Sequence, residues 1–255
     1  MEAGSWWQPR AALCRFVVDL LAGELAHLRP GAPPRPRPWA DELALDTDLG
    51  VDSLELVALA TAFSQALHLH ESGIEDWLLA KRRLGDWVDV AQAGLEHYDE
   101  RLTFRTSGST GSPKPCVHAL ATLRQETRQL AALFPARTRV LCAVPSHHIY
   151  GFLFSVLLPR ALGLAAGSVV DVRGSLPASL PRIARPGDLV VGHPVFWQSV
   201  ADAGLVFAPD IIGVTSTAPC PDAVTVKMPG PAGAILTTCA ALVFPLIVAD
   251  TEPTA

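Results

Sequence analysis

A short stretch of small residues that ends in a lysine has the composition of a phosphate-binding loop. It reads T-S-G-S-T-G-S-P-K from Thr106 to Lys114 and is not a Walker A loop, because no Gly-Lys-Ser/Thr sequence ends it. Backbone N–H groups in such a loop bind phosphate oxygens, and hydroxyl groups and a lysine add donors and positive charge. A flexible linker is the alternative, but it would not explain the strand-like segment before the loop. The predicted phosphate contacts are Thr106, Ser107, Gly108, Ser109, Thr110, Gly111 and Lys114.

This stretch resembles the phosphate-binding motif of the adenylate-forming superfamily, which includes acyl- and aryl-CoA synthetases, luciferases and the adenylation domains of peptide synthetases. The resemblance implies that the loop binds ATP with Mg and that Lys114 is catalytic. In that family a carboxylate attacks the α-phosphate of ATP, pyrophosphate leaves, and the thiol of a phosphopantetheine arm then takes the acyl group. The substrate implied here is an acyl or aryl acid.

Two later segments resemble further motifs of the same family. V-P-S-H-H-I-Y-G, at 144–151, is similar to its P-x-x-H-x-x-G segment, which implies that His148, as a catalytic residue, and Gly151 border the acyl or aryl pocket. The alternative is that His147 and His148 are ordinary loop histidines, since no metal-ligand spacing accompanies them. A weaker likeness begins at Gly213 and implies a substrate-pocket role for Ser216, Thr217, Ala218 and Pro219.

Ser53 is a second candidate site, within D-L-G-V-D-S-L-E-L at the start of a predicted helix. One interpretation is structural: Asp52 caps the helix and Glu55 completes a capping box. The other is a resemblance, over about residues 11–98, to acyl and peptidyl carrier proteins. That resemblance implies a phosphoprotein in which a phosphopantetheinyl transferase attaches 4'-phosphopantetheine to Ser53, where the free N–H groups of a helix N-terminus favour negative charge.

The spacing of apolar residues predicts the helices that would position Ser53. Apolar residues recur at positions i, i+3 and i+4 over 11–28, 53–67, 73–79 and 84–98. The proline-rich segment 29–38 cannot continue the first helix. These four helices predict a small bundle. The second helix carries an additional apolar face beside its core face, and we expect that face to pack against an enzyme domain.

After residue 100 short apolar runs alternate with helix-like segments, a pattern that favours an α/β layer with a largely parallel sheet. The expected fold class is therefore α+β and multidomain, with a four-helix carrier bundle followed by a partial α/β adenylation subdomain. The predicted helices here are 119–134 and 194–203. The predicted strands are 101–105, 139–144, 167–172, 188–191 and 211–215.

Three segments are expected: a carrier-like domain at 1–99, a partial AMP-binding domain at 100–221, and a divergent tail at 222–255 that suits a truncated or frameshifted product. The family's Y-G-x-T-E motif, ribose aspartate, hinge and C-terminal lysine do not occur. We predict activation of an acyl or aryl acid and its loading onto the fused carrier, as in polyketide or fatty acid biosynthesis, with a partner synthase or ligase supplying missing parts. The alternative is a carrier protein with a non-catalytic adenylation remnant.

Composition disfavours other classes of function. The 255 residues carry a net charge of -5 without a massed basic face, which argues against nucleic acid. Arg15 and Asp19 interrupt the first apolar stretch, and the run at 234–249 is shorter than the roughly 20 residues of a membrane span. The five cysteines are scattered without metal-ligand spacing, which favours reduced thiols and a cytoplasmic location.

Overall fold

A computed structural model of the protein describes residues 5–106 and 114–215. The chain forms two compact units: the first comprises Met1–Arg124 with Ser146–Ile149, and the second comprises Gln125–Pro145 with Tyr150–Ala255. The predicted domain boundary near residue 99 lies inside the first unit. The division into a carrier segment, an AMP-binding segment and a tail stays a prediction.

The first unit begins with the helices that the apolar spacing predicts. Their buried sides share one core, in which the rings of Phe63 and Trp87 meet edge to face at 5.1 Å. The third helix is shorter than predicted and follows a 3₁₀ turn at Leu69–Glu71. The helices are α1 (Arg10–Leu28), α2 (Ser53–Leu67), α3 (Trp77–Ala80) and α4 (Leu84–His97).

An antiparallel hairpin completes this unit and was only half predicted. Strand β1 (Arg101–Thr106) follows the expected apolar run, whereas β2 (Lys114–Ala119) was not expected. Since β1 packs against α2, the helices share their core with a hairpin. The unit is therefore α+β, and a separate four-helix carrier bundle stays a hypothesis.

The second unit contains the parallel sheet that the sequence predicts. The strands are β3 (Arg139–Cys142), β4 (Val169–Asp171), β5 (Asp188–Gly192) and β6 (Ile212–Thr215). Their order in the sheet is β4-β3-β5-β6, and every neighbouring pair is parallel. All five residues of β5 are buried, as expected for a strand covered on both faces.

Helices connect these strands in the expected alternation. Helix α5 (Leu120–Leu133) precedes β3, and α9 (Pro194–Asp202) lies between β5 and β6, both close to their predicted bounds. Between β3 and β4 a π-helical turn at Leu153–Leu157 joins two short helices, α6 (Ile149–Phe152) and α7 (Leu158–Ala161), and α8 (Leu180–Ile183) follows β4.

Within the part of the chain that the structure describes, no helix is long and apolar enough to cross a membrane. Three cysteines, Cys14, Cys116 and Cys142, are free thiols there. The apolar run at 234–249 and the rest of the predicted tail lie outside the described residues.

Candidate active site

The hairpin of the first unit brings the two ends of the predicted phosphate loop together. Thr106 and Lys114 are paired across β1 and β2, so the connecting residues 107–113 start and finish at one end of the hairpin. The Lys114 side chain is exposed at this end. The predicted phosphate contacts Ser107, Gly108, Ser109, Thr110 and Gly111 lie outside the described residues, and their role stays a prediction.

The segment that carries the two histidines is tied to helix α1. The Asp19 carboxylate accepts hydrogen bonds from the Ser146 backbone N–H at 2.6 Å and from the Ser146 hydroxyl at 2.7 Å. Asp19 is only 1% exposed and also forms an ion pair with Arg37, from the proline-rich connection. A buried carboxylate is tolerated because it is paired and hydrogen-bonded. Asp19 thus fixes Ser146 against α1.

One turn further along α1, Gly23 leaves room for the next side chain. A Cβ atom at Gly23 would lie 2.6 Å from Nε2 of His147, closer than real Cβ atoms come to another atom. The His147 ring therefore occupies the space that a larger residue at position 23 would fill. The rings of His147 and His148 are 4.2 Å apart between centroids.

A cavity of about 200 Å³ lies beside these histidines within the first unit. Small and apolar side chains from α1 and α2 form part of its wall. Arg105, on β1, is held by Glu24 through bonds of 2.9 and 2.8 Å, so its positive charge at the wall is balanced. The lining residues are Leu20, Gly23, Glu24, His27, Ala62, Gln65, Ala66, Thr103, Arg105, His147 and His148.

His148 lies at this cavity, as the resemblance implies for the acid pocket, although the residue as a whole is exposed. Partial burial lowers the pKa of His148 below its ordinary value, and the negative charge of Asp19 opposes that shift. The neutral imidazole is therefore favoured at neutral pH. Such a ring can donate a hydrogen bond from one nitrogen and accept one at the other.

Gly151, the other predicted pocket residue of this segment, belongs to the second unit. It is buried in α6, and its carbonyl oxygen accepts a hydrogen bond from the Ser155 hydroxyl at 2.7 Å. Gly151 does not line the cavity described above. The remaining predicted pocket residues, Ser216, Thr217, Ala218 and Pro219, lie outside the described residues.

Ser53 is exposed at the first position of α2, and a capping box occupies part of the helix N-terminus beside it. The Asp52 carboxylate accepts from the Glu55 N–H at 2.8 Å, and the Glu55 carboxylate accepts from the Asp52 N–H at 3.1 Å. This capping box confirms the structural interpretation of D-S-L-E. The Asp52 carboxylate thus takes the Glu55 N–H, one of the donors at this helix N-terminus, and attachment of a phosphodiester to Ser53 stays a prediction.

Arg29 supports this arrangement. Its guanidinium donates to Glu55 at 2.6 Å and to the carbonyl oxygens of Leu49 and Gly50 at 2.8 and 2.7 Å. The hydrogen bond from Arg29 lowers the pKa of Glu55, which keeps that carboxylate charged. The turn before α2 is thus held in place without any group on Ser53.

Sequence reasoning missed the two α1 residues that contact the histidine segment. In the sequence, the charge of Asp19 argued only against a membrane anchor. Its position among the buried residues Val17, Val18, Leu20 and Leu21 was an available signal, since a charged residue on a buried helix face needs a partner. Gly23 gave no comparable signal, because its close contact involves a residue far along the chain.

Among residues 5–106 and 114–215, no three His, Cys, Asp or Glu side chains form a group that could hold a metal ion.

Comparisons with known proteins relate this chain to AMP-binding enzymes. Residues 70–183 match the family model described as AMP-binding enzyme. A 4-coumarate–CoA ligase of Cereibacter sphaeroides is 43% identical over 233 residues, which cover 82% of this chain and 55% of that protein. A 4-coumarate–CoA ligase of Halorhodospira halophila is 40% identical over 207 residues, which cover 80% of this chain and 51% of that protein. The chain thus spans about half the length of the curated relatives it matches.

One solved structure that aligns with this chain is the inhibitor-bound N-terminal domain of FACL13 from Mycobacterium tuberculosis. The alignment covers 83% of this chain and 63% of the FACL13 chain, at 15% sequence identity. Its TM-score of 0.40 is too low to establish a shared fold.

The sequence matches support an adenylate-forming domain, and their extent bears on the predicted carrier. Residues 100–255 make up less than two thirds of the chain, so matches that cover four fifths of it must reach into the first 99 residues. The family match itself begins at residue 70. Much of the segment that resembles a carrier is therefore also similar to ligases.

Proposed function

We propose that this chain is part of an AMP-forming ligase, which activates an acyl or aryl carboxylic acid as its adenylate and transfers the acyl group to a thiol. One observation carries the proposal: strand β1 lines the cavity with Thr103 and Arg105 and continues directly into the phosphate-type loop. The two substrates of adenylate formation, a carboxylate and ATP, would thereby meet at the end of one strand.

Each part of this site has a distinct task. The loop would present N–H and hydroxyl donors to the phosphates of ATP. Lys114, at the end of the hairpin, would add a positive charge that stabilises the negative charge of those phosphates. His148 would border the acid in the cavity, with a neutral ring that hydrogen-bonds a polar substituent. Catalysis of this kind depends mainly on positioning and on charge stabilisation.

The relatives named 4-coumarate–CoA ligase direct the choice of acid and acceptor. We propose an aryl-propenoic acid of the 4-coumarate type as the first acid to test, with the coenzyme A thiol as acceptor. The cavity of about 200 Å³ is smaller than the pockets that bury drug-sized ligands, which favours a small acid such as one aromatic ring with a short side chain.

Nucleotide binding tests the loop. We expect Lys114→Ala to weaken binding of Mg-ATP to the 255-residue chain by roughly ten- to a hundredfold, since a charged hydrogen bond contributes about 1.5–3 kcal/mol. Lys81→Ala is the matched control, because Lys81 is also exposed but lies outside the loop. The measurement is calorimetric titration. Equal affinities for both variants and the parent, or no binding by the parent, would remove the loop from the proposal.

A carrier function is the second candidate, and the exposure of Ser53 and of the neighbouring Leu54, which is 80% exposed, favours it. In this case a phosphopantetheinyl transferase would attach one arm to Ser53, and the activated acid would be loaded onto that arm. The alternative in which the adenylation segment is a non-catalytic remnant makes the same prediction for Ser53.

Intact-mass spectrometry distinguishes a carrier from a ligase part without one. A carrier gains the mass of one phosphopantetheine after treatment with a transferase and coenzyme A, and Ser53→Ala abolishes the gain. Ser64→Ala, a change on the same helix, is the matched control. An unmodified parent protein would eliminate the carrier function and leave the ligase proposal standing.

A further inference from the structure

We infer that helix α1 is a positioning element of the candidate acid site, with Asp19 and Gly23 fixing where His147 and His148 lie at the cavity. The inference rests on the proposed function only in treating His148 as a neighbour of the acid. Neither Asp19 nor Gly23 belongs to a motif that the sequence shows.

Asp19 and Gly23 are four residues apart, so they lie on the same face of α1, one turn from each other. Asp19 binds the backbone and the hydroxyl of Ser146, and Gly23 accommodates the ring of the next residue, His147. Consecutive residues of the histidine segment thus meet consecutive turns of one helix. The bonds between Asp19 and Ser146 fix which residues of α1 and of the histidine segment face each other, and Gly23 allows the two segments to come close.

The hydrogen bonds from Ser146 to Asp19 do not by themselves set the rotamer of His147. Because the imidazole lies against the bare backbone of Gly23, its place is restricted by sterics as well. The His147 and His148 rings are neighbours, so a displaced His147 would also displace His148. The position of the cavity wall therefore depends on two α1 residues that themselves need no contact with substrate.

The electrostatic environment of His148 contains several charges whose sum matters. Asp19 on α1 acts on its pKa, Glu24 and His27 of α1 and Arg105 of β1 line the same cavity, and His147 is adjacent in sequence. Glu24 and Arg105 are paired with each other, whereas Asp19 raises the pKa of His148 against the effect of burial. Removal of the Asp19 charge should therefore lower the pKa of His148.

An NMR pH titration of the histidine side chains in the 255-residue chain tests the charge. Resonances are assigned with His147→Gln and His148→Gln. We expect Asp19→Asn to lower the pKa of His148 and to shift the ring resonances of His147, whereas Ser146→Ala, which retains the Asp19 charge, leaves the pKa of His148 in place. An Asp19→Asn protein that is folded and titrates like the parent would overturn the role of Asp19.

A second experiment does not depend on Asp19→Asn being folded. Glycine to alanine inside a helix ordinarily raises stability, but here we expect Gly23→Ala to lower the Tm, because the new methyl group meets His147. In a His147→Ala background the same change should raise the Tm. Gly174→Ala, where an added Cβ meets open space, is the control. A rise in Tm for Gly23→Ala in the parent background would overturn the inference.

Titration with 4-coumarate separates this inference from the proposed function. If the parent binds the acid, Gly23→Ala should bind it more weakly than Gly174→Ala does. If the parent binds no acid, the proposed function fails in its choice of substrate, while the histidine resonances and the Tm cycle still decide whether α1 positions the segment.

Discussion

Glu126 is a buried carboxyl group that should make the stability of the protein depend on pH in an unusual direction. It lies on α5, is only 6% exposed, and neither carboxylate oxygen has a hydrogen-bond partner among the described residues. Burial raises the pKa of Glu126 from 4.5 to about 7. The charged form is thus disfavoured in the folded state, since no partner replaces the lost water.

The sign and size of the effect follow from linkage. Because the folded-state pKa lies above the unfolded-state value, the unfolded state loses its proton first as the pH rises, and folding is penalised. The penalty is absent below a pH of about 4.5, grows between there and about 7, and is constant above. At about 1.36 kcal/mol for each pKa unit, it reaches about 3 kcal/mol.

The perturbation is Glu126→Gln, which keeps the shape of the side chain and cannot ionise. Urea unfolding curves for variant and parent give the difference in unfolding free energy at about pH 4 and at about pH 8.5, and we expect this difference to move in favour of the variant by about 3 kcal/mol between them. Effects that do not depend on pH, such as an unpaired amide, cancel in that comparison. Glu42→Gln, at an exposed glutamate, is the control.

A difference that is the same at both pH values would refute this reasoning. It would mean that Glu126 is solvated or paired in the folded protein, so that its charge carries no penalty.

Two further predictions concern the second unit. Asp188 is fully buried and receives two hydrogen bonds from Arg139, so Asp188→Asn should lower the free energy of unfolding by about 3–5 kcal/mol, as chemical denaturation would measure. The control is Asp89→Asn in the first unit, at an ion pair with Arg10 that is exposed on both sides, and it should cost less than about 1 kcal/mol. Gly192→Ala should lower the Tm in thermal unfolding, because the new Cβ would lie 2.3 Å from Cδ1 of Phe196. Gly174→Ala should not lower the Tm, because a Cβ there would meet open space.

Most helices and strands could be predicted because their apolar residues repeat with the right period. Helix α1 and strand β5 are examples, the first with one buried face and the second buried throughout. Strand β2 was missed because its side chains are exposed or only half-buried and Pro115 argues against a strand. Its pairing with β1, rather than its own pattern, makes it a strand.

The site was predictable only where it is local in sequence. The loop after β1 and the capping box around Ser53 each lie within a few residues, so motif and chemistry could be read together. The bonds from Asp19 to Ser146 join residues that are 127 positions apart, and nothing in either neighbourhood specifies the other. Glu126 was open to prediction, since Leu123, Glu126 and Leu130 follow the spacing of one helix face.

The central claim is that an acid and a nucleotide meet where β1 leaves the cavity and enters the loop. Its most direct test is calorimetric binding of a non-hydrolysable mimic of 4-coumaroyl-adenylate, compared with AMP and with 4-coumarate. We expect the mimic to bind more tightly than either part, and His148→Ala to weaken it by at least about tenfold, or about 1.4 kcal/mol. A mimic that binds no better than AMP, with the same affinity for parent and His148→Ala, would contradict the claim.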